Sequence, residues 1–338
     1  MHQWEVDPAY QAVVRGFVDA DPLDQAGGPL DIRVAVAGIR PDAKDEFLLE
    51  EVPWDRFPDG IRVREDMERL RSGDPAAVRG ALGMLIGRCA NDMRVAVALA
   101  VPFLIRIGTQ SGGTDRAEVL AVVAEGARMG HQGVCTRADM LRHRNDDEWY
   151  FEPTGYLQNW SVQAARYAIA ADTDLILPLL GDPDTAVRIA SAYALAAASD
   201  RAQDILSAFH TCLLAEHAPD VRAGLVLAIA ELARAHQDSK TTAWIQACWS
   251  DSGQPPEVRT SAALGWMCLT DEPIPDDLRT ILDDLATGET AQRVASLPWM
   301  RVAASAVADG LHRCLQAMLH PDTHDTHDTD DCCDDPWS

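Results

Sequence analysis

Between residues 142 and 160 the chain runs RHRNDDEWYFEPTGYLQNW, and five of its twenty aromatic residues fall in the last twelve positions, beside Arg142 and Arg144 and the acidic run 146–148. Aromatic rings with arginine offer large contact area at little entropic cost, the composition of a binding hot spot. Pro153 and Gly155 favour a turn that would gather Trp149, Tyr150, Phe151 and Tyr156 around one corner. The opposing expectation is that the same rings fold inward to cover a groove or bridge two structural units. Because LQNW already leads into the next helical stretch, Trp160 is expected in the core. Exposure and partner contact are therefore expected at Trp149, Tyr150 and Tyr156, with Arg142 and Arg144 beside them.

The C-terminal stretch PDTHDTHDTDDCCDDPWS, 321–338, adds His324, His327, Cys332 and Cys333 to the preceding His320. These types bind borderline or soft metals, but H-x2-H followed by adjacent cysteines matches a structural zinc spacing only loosely, so no metal and no cofactor is implied. The segment is too acidic and too poor in apolar residues to fold alone, and a disordered solubilising tail is expected. The sequence holds no G-x-S-x-G elbow, P-loop, H-E-x-x-H or paired C-x-x-C. His210, His217 and His236 stand alone at expected helix ends or solvent faces. No catalytic residue is assigned.

These residues must be positioned by a scaffold, and its composition sets limits. At 338 residues with 47% hydrophobic and 24% charged content, the chain can hold a substantial core. Formal net charge is -24, of which the seven aspartates of the tail supply -7, leaving -17 on the rest. Such a field repels phosphate backbones and anionic membrane surfaces, which disfavours nucleic acid and membrane as partners. No apolar run of membrane-spanning length occurs and MHQWEVDPAY lacks a signal-peptide pattern, so a cytoplasmic location is expected. The eight cysteines are mostly scattered singly in apolar helical runs, as reduced packing residues. Only Lys44 and Lys240 are lysine, an arginine bias attributed to a GC-rich genome.

One pattern recurs. GDPAAVRGALGML (73–85), GDPDTAVRIASAYAL (181–195), APDVRAGLVLAIAEL (218–232) and PPEVRTSAALGWM (255–267) share an acidic or proline-rich start, a Val-Arg pair, then small and aliphatic residues at helical spacing. The Val-Arg pairs begin at 78, 187, 221 and 258, giving later intervals of 34 and 37 residues and a first gap of 109, about three such units. A period of this size signals stacked helical repeats. Proline tolerates the first helical turn while the aspartate suits its positive end, and Val187, Ala190, Ala194 and Leu195 make one buried stripe. DTDLILPLL (172–180) is expected as a short helix antiparallel to the second copy.

The string LILPLLGDPDTAVRIASAYALAAAS (175–199) resembles a HEAT repeat of the bacterial, phycobilisome-lyase-like, armadillo-type family, with Asp182 and Arg188 at that family's acidic and arginine positions. The resemblance covers 160–270 strongly, 62–108 less so and 271–320 weakly. VPWDRF (52–57) and VPFLIRIG (101–108) also look like segments of HEAT proteins from high-GC bacteria. The resemblance implies an all-α fold, a right-handed α-α superhelix of about six to seven helix pairs, and a protein-binding role. Arg188, Arg222 and Arg259, with Arg79, are then structural, bonding a neighbouring acid or loop carbonyl to link successive repeats.

Residues 1–60 depart from the pattern and are expected as an irregular N-terminal cap. It has a helix over 8–19 and an alternating run, LDIRVAVAGIR (30–40), that fits a strand. The array proper is expected over 61–320. Between 129 and 160 some thirty residues intervene where two to eight usually connect neighbouring helices, and long insertions tend to be functional. A short basic helix over 136–144, capped by Thr136, is expected inside this insertion.

Function is thus expected to be non-catalytic: a scaffold or inhibitor recognising a protein with a basic surface through its concave face and the 129–160 insertion. Neutralising a basic toxin or nuclease as an immunity protein is one version. The alternative is an enzyme or small-molecule binder with a pocket roofed by the aromatic insertion. Di-iron HEAT hydroxylases need repeated His-Glu pairs, and the chain has only the reversed Glu216-His217. HEAT-like DNA glycosylases would cast Trp149, Trp160 and Asp146 or Asp147 in their roles, against the sign of the net charge.

Overall fold

The computed structural model describes residues 31–110, 115–129, 137, 141, 150–285, 288–300 and 319, with backbone alone at 283–285. The helix expected over 8–19, the tail 321–338, the basic helix of 136–144 apart from Arg137 and Leu141, and Arg142, Arg144 and Trp149 lie outside these residues. Among the described residues the chain is all-helical, and its one β contact is an isolated antiparallel bridge between Phe151 and Leu157.

The α-helices in chain order are α1 (Ile32–Ala37), α2 (Pro41–Glu46), α3 (Gly60–Leu70), α4 (Pro75–Ala90), α5 (Val95–Thr109), α6 (Arg116–Gly126) and α7 (Gln158–Ala171). They continue as α8 (Thr173–Ile176), α9 (Thr185–Ala196), α10 (Ala202–Ala215), α11 (Pro219–His236), α12 (Ser239–Ser250), α13 (Pro256–Leu269), α14 (Asp276–Leu285) and α15 (Gly288–Ala295). The four Val-Arg units are the starts of α4, α9, α11 and α13. Their openings work as the residue types require: Asp74 and Asp184 accept hydrogen bonds from Ala76 N and Ala186 N, and Pro75, Pro219 and Pro256 sit in first turns.

Helices α5, α6, α9, α11, α13 and α15 form a row in which each packs on the next. α10 packs on α9 and α11, α12 packs on α11 and α13, and α7 packs on α5 and α1. The row is the core: residues 95–105 of α5 and 223–230 of α11 are buried on every face, which excludes polar residues from either side. Small side chains permit the close approach. A Cβ added at Gly265 of α13 would lie 2.9 Å from Ala230 Cβ of α11.

Two expectations for individual elements are corrected. The alternating run at 30–40 forms no strand; Asp31 accepts from Arg33 N as a helix cap and α1 follows. Ile32 and Val36, four apart, are buried while Val34 is exposed, so the helical period overrides the alternation. DTDLILPLL is not one helix: α8 makes a single turn and Leu177–Gly181 tightens into a 3-10 helix with Pro178 in its first turn, because proline cannot supply the N–H that would continue the α pattern. No helix among the described residues is long and apolar enough to cross a membrane.

Candidate functional site

Within the insertion, 150–157 is a tight turn anchored to the start of α7. Glu152 N donates to Tyr156 O at 2.8 Å and Gly155 N donates to Glu152 O at 2.8 Å. Gly155 has φ +80°, a conformation side chains resist. At the base, Gln158 N donates to Tyr150 O at 2.9 Å and Tyr150 N donates to Asn159 Oδ1 at 2.9 Å. Pro153, Thr154 and Gly155 form the exposed tip, while Tyr150 and Phe151 are half-buried.

The expectation that Tyr156 is exposed is corrected. The ring is buried, standing edge-on to Phe57 with centroids 6.1 Å apart and to Trp160 at 6.3 Å. Its Oη accepts a hydrogen bond from Ile32 N at 2.9 Å, so the turn also holds the start of α1. Burial raises the phenol's pKa and keeps it neutral. Trp160 is in the core as expected, with the Arg33 guanidinium 4.3 Å from its ring centroid. Of the expected partner contacts, Tyr150 alone is both described and part-exposed.

The turn delivers one residue to which the sequence pattern assigns no role. Glu152, 3% exposed, enters at the N-terminal end of α5, where the cap residue Arg94 supplies no side-chain bond of its own. Glu152 Oε1 accepts from Arg94 N at 3.0 Å and from Ser161 Oγ of α7 at 2.8 Å. A carboxyl from a distant turn thus caps a helix end that would otherwise present bare amides to the interior. The Arg94 guanidinium, 1% exposed, pairs with Asp92, and Gln158 Nε2 donates to the same Asp92 oxygen at 2.7 Å. Glu152 Oε2 and Arg94 Nε have no hydrogen-bond partner among the described residues. Burial, opposed by the bonds from Ser161 and Arg94, pushes the Glu152 carboxyl up to about 7. Its partner lies 58 residues away, so no local spacing could have marked it.

Along the row, arginines bind both ends of the helices. On one side, Arg166 donates to Ala127 O just beyond α6, Arg128 to Tyr193 O in the last turn of α9, and Arg234 to Cys268 O in the last turn of α13. Arg137, inside the insertion, donates to Thr270 O and Glu272 O beyond α13, and Leu141 is buried in the core. Cations suit carbonyl-rich helix ends. Arg128 also meets Glu231 at 2.8 Å and lies 3.6 Å over the Tyr193 ring, and Trp299 Nε1 donates to Glu231 at 2.7 Å.

At the other ends of the helices are the repeat arginines. Arg188 Nε donates to Glu216 Oε2 at 2.8 Å and its Nη1 to Asp182 O at 2.8 Å; Arg222 donates to Gln254 Oε1 at 2.8 Å; Arg259 donates to Trp249 O at 3.1 Å. Asp182 itself pairs with Arg116 at 2.8 Å, and Arg79 is exposed. His217 and His236 are exposed, whereas His210 is half-buried edge-on to Trp244 at 4.9 Å, and burial lowers its pKa. Among the described residues no three or more His, Cys, Asp or Glu side chains gather as metal ligands would.

No protein-family model, curated protein or solved structure matches the chain.

Proposed function

We propose that the protein is a non-catalytic, protein-binding scaffold of the HEAT type. In this reading the row of helices is the spine of a right-handed superhelix, and the partner is held by its concave face and by the insertion. The observation that carries it is the repetition of one joint. Arg188 to Glu216 and Arg222 to Gln254 each tie the start of a row helix to the loop ahead of the next. Units joined in this serial way make an extended surface suited to grasping another macromolecule.

The net charge of -24 favours a partner with a basic surface, drawn in by long-range attraction. Inhibition of a basic toxin or nuclease in the bacterial cytoplasm is a specific form of this reading. A pocket roofed by the aromatic turn has less support, because Tyr156 and Trp160 are spent on packing in the core. The recognition contacts then fall to Trp149 and Tyr150 with Arg142 and Arg144. Affinity capture from the native host, comparing wild type with Trp149→Ala/Tyr150→Ala, tests the assignment. A protein recovered by wild type and lost by the variant supports it; the same proteins at equal yield overturn it.

A further inference from the structure

We propose that the 150–157 turn is a proton-operated latch on the N-terminal end of α5, seated more firmly when Glu152 is neutral and loosened when it ionises. Seating buries the carboxyl: Oε1 takes the bonds from Arg94 N and Ser161 Oγ, the Val95 amide also faces the group, and among the described residues Oε2 finds no partner. A neutral carboxyl tolerates that state better than a carboxylate does.

Among the described residues the surrounding charges do not offset the difference. Ahead of α5, Arg94 is the described cation facing Glu152, and its guanidinium is already paired with Asp92. Two carboxyls therefore compete for one arginine. From α7 come Ser161 and Gln158, which do not titrate, and Gln158 is itself bonded to Asp92. From the turn comes Tyr156, and beyond it stand the α1 cap Asp31 and Arg33 of α1, which pair with each other at 2.6 Å.

The geometry also supplies a movable part. The turn is held at its base by the Tyr150–Gln158 backbone bond and by buried Tyr156, while its tip is exposed around Gly155. Opening would return Glu152 to water and its ordinary value of 4.5, against about 7 when seated. The seated state therefore binds the proton more tightly, and opening becomes easier as pH rises from 4.5 through 7, then levels off.

This latch deepens the recognition reading. It rests on that reading only for one consequence, that a partner using neighbouring insertion residues binds more readily above neutral pH. Hydrogen exchange of the full-length protein without any partner tests the latch itself, so its failure is separable from failure of the recognition reading. After correction for intrinsic exchange, the opening equilibrium at the amides of Arg94 and residues 150–158 is expected to rise about tenfold between pH 6 and 8.5. Glu152→Gln is expected to abolish that dependence. A flat wild-type profile, or an equal slope in Glu152→Gln, overturns the proposal. Should Glu152→Gln fail to fold, Asp92→Asn decides: freeing Arg94 for Glu152 moves the transition to lower pH, and an unmoved midpoint overturns the latch.

Discussion

Tyr156 and Glu152 occupy one short turn and do opposite jobs. Tyr156 closes a buried amide at Ile32, 124 residues away, and wedges between Phe57 and Trp160. Tyr156→Phe keeps the ring and orphans that amide, so a loss of about 1–3 kcal/mol in denaturant unfolding is expected, with the slope unchanged. Glu152 instead costs stability once ionised. Between pH 4.5 and 7 the wild type is expected to lose roughly 3 kcal/mol that Glu152→Gln retains, measured by denaturation at pH 5 and pH 8. The aromatic corner was visible in the sequence because composition marks it, yet which ring is exposed was not. Tyr156 turned inward because its hydroxyl finds Ile32 N, a contact that sequence spacing does not encode. Glu152 stayed hidden for the same reason, since its significance comes from the bare amide end of α5.

At the scale of elements, the row depends on how closely its helices approach, and two glycines separate packing from propensity. In α13, Gly265→Ala would press a Cβ against Ala230 and should cost about 1–3 kcal/mol. In α4, nothing lies within 4 Å of a Cβ at Gly83, and Gly83→Ala should stabilise by up to ~1 kcal/mol, both read from melting curves. The joint between units is tested by Arg188→Ala, which leaves the half-buried Glu216 carboxylate facing no guanidinium and should cost roughly 1.5–3 kcal/mol. The starts of α4, α9, α11 and α13 were legible because aspartate, proline and the 3.6 period agree there. α1 was not, because its short run satisfies both periods and the Asp31 cap decides between them. The break between α8 and the 3-10 turn was missed although Pro178 signalled it.

For the molecule as a whole, an acidic charge goes with serial packing of the row helices, two of whose starts are tied by arginine to the loop ahead of the next, and the described parts of the insertion are tied back to the row. Arg137 reaches the chain just beyond α13 while Glu152 reaches the start of α5, so the insertion's described parts meet the first and the fifth helices of the packed row. The helix starts at the Val-Arg units and the acidity were legible from sequence. The tie was not, because it joins residues more than 130 positions apart at one end and 58 at the other. If long-range attraction draws in a basic partner, its association rate should fall several-fold between low and physiological salt, measured by stopped-flow mixing. The most direct test of recognition by the insertion is the affinity of the captured partner for wild type and for Trp149→Ala/Tyr150→Ala at matched melting temperature. A loss of about tenfold or more is expected if these rings are hot-spot residues; equal affinity would contradict recognition through the insertion.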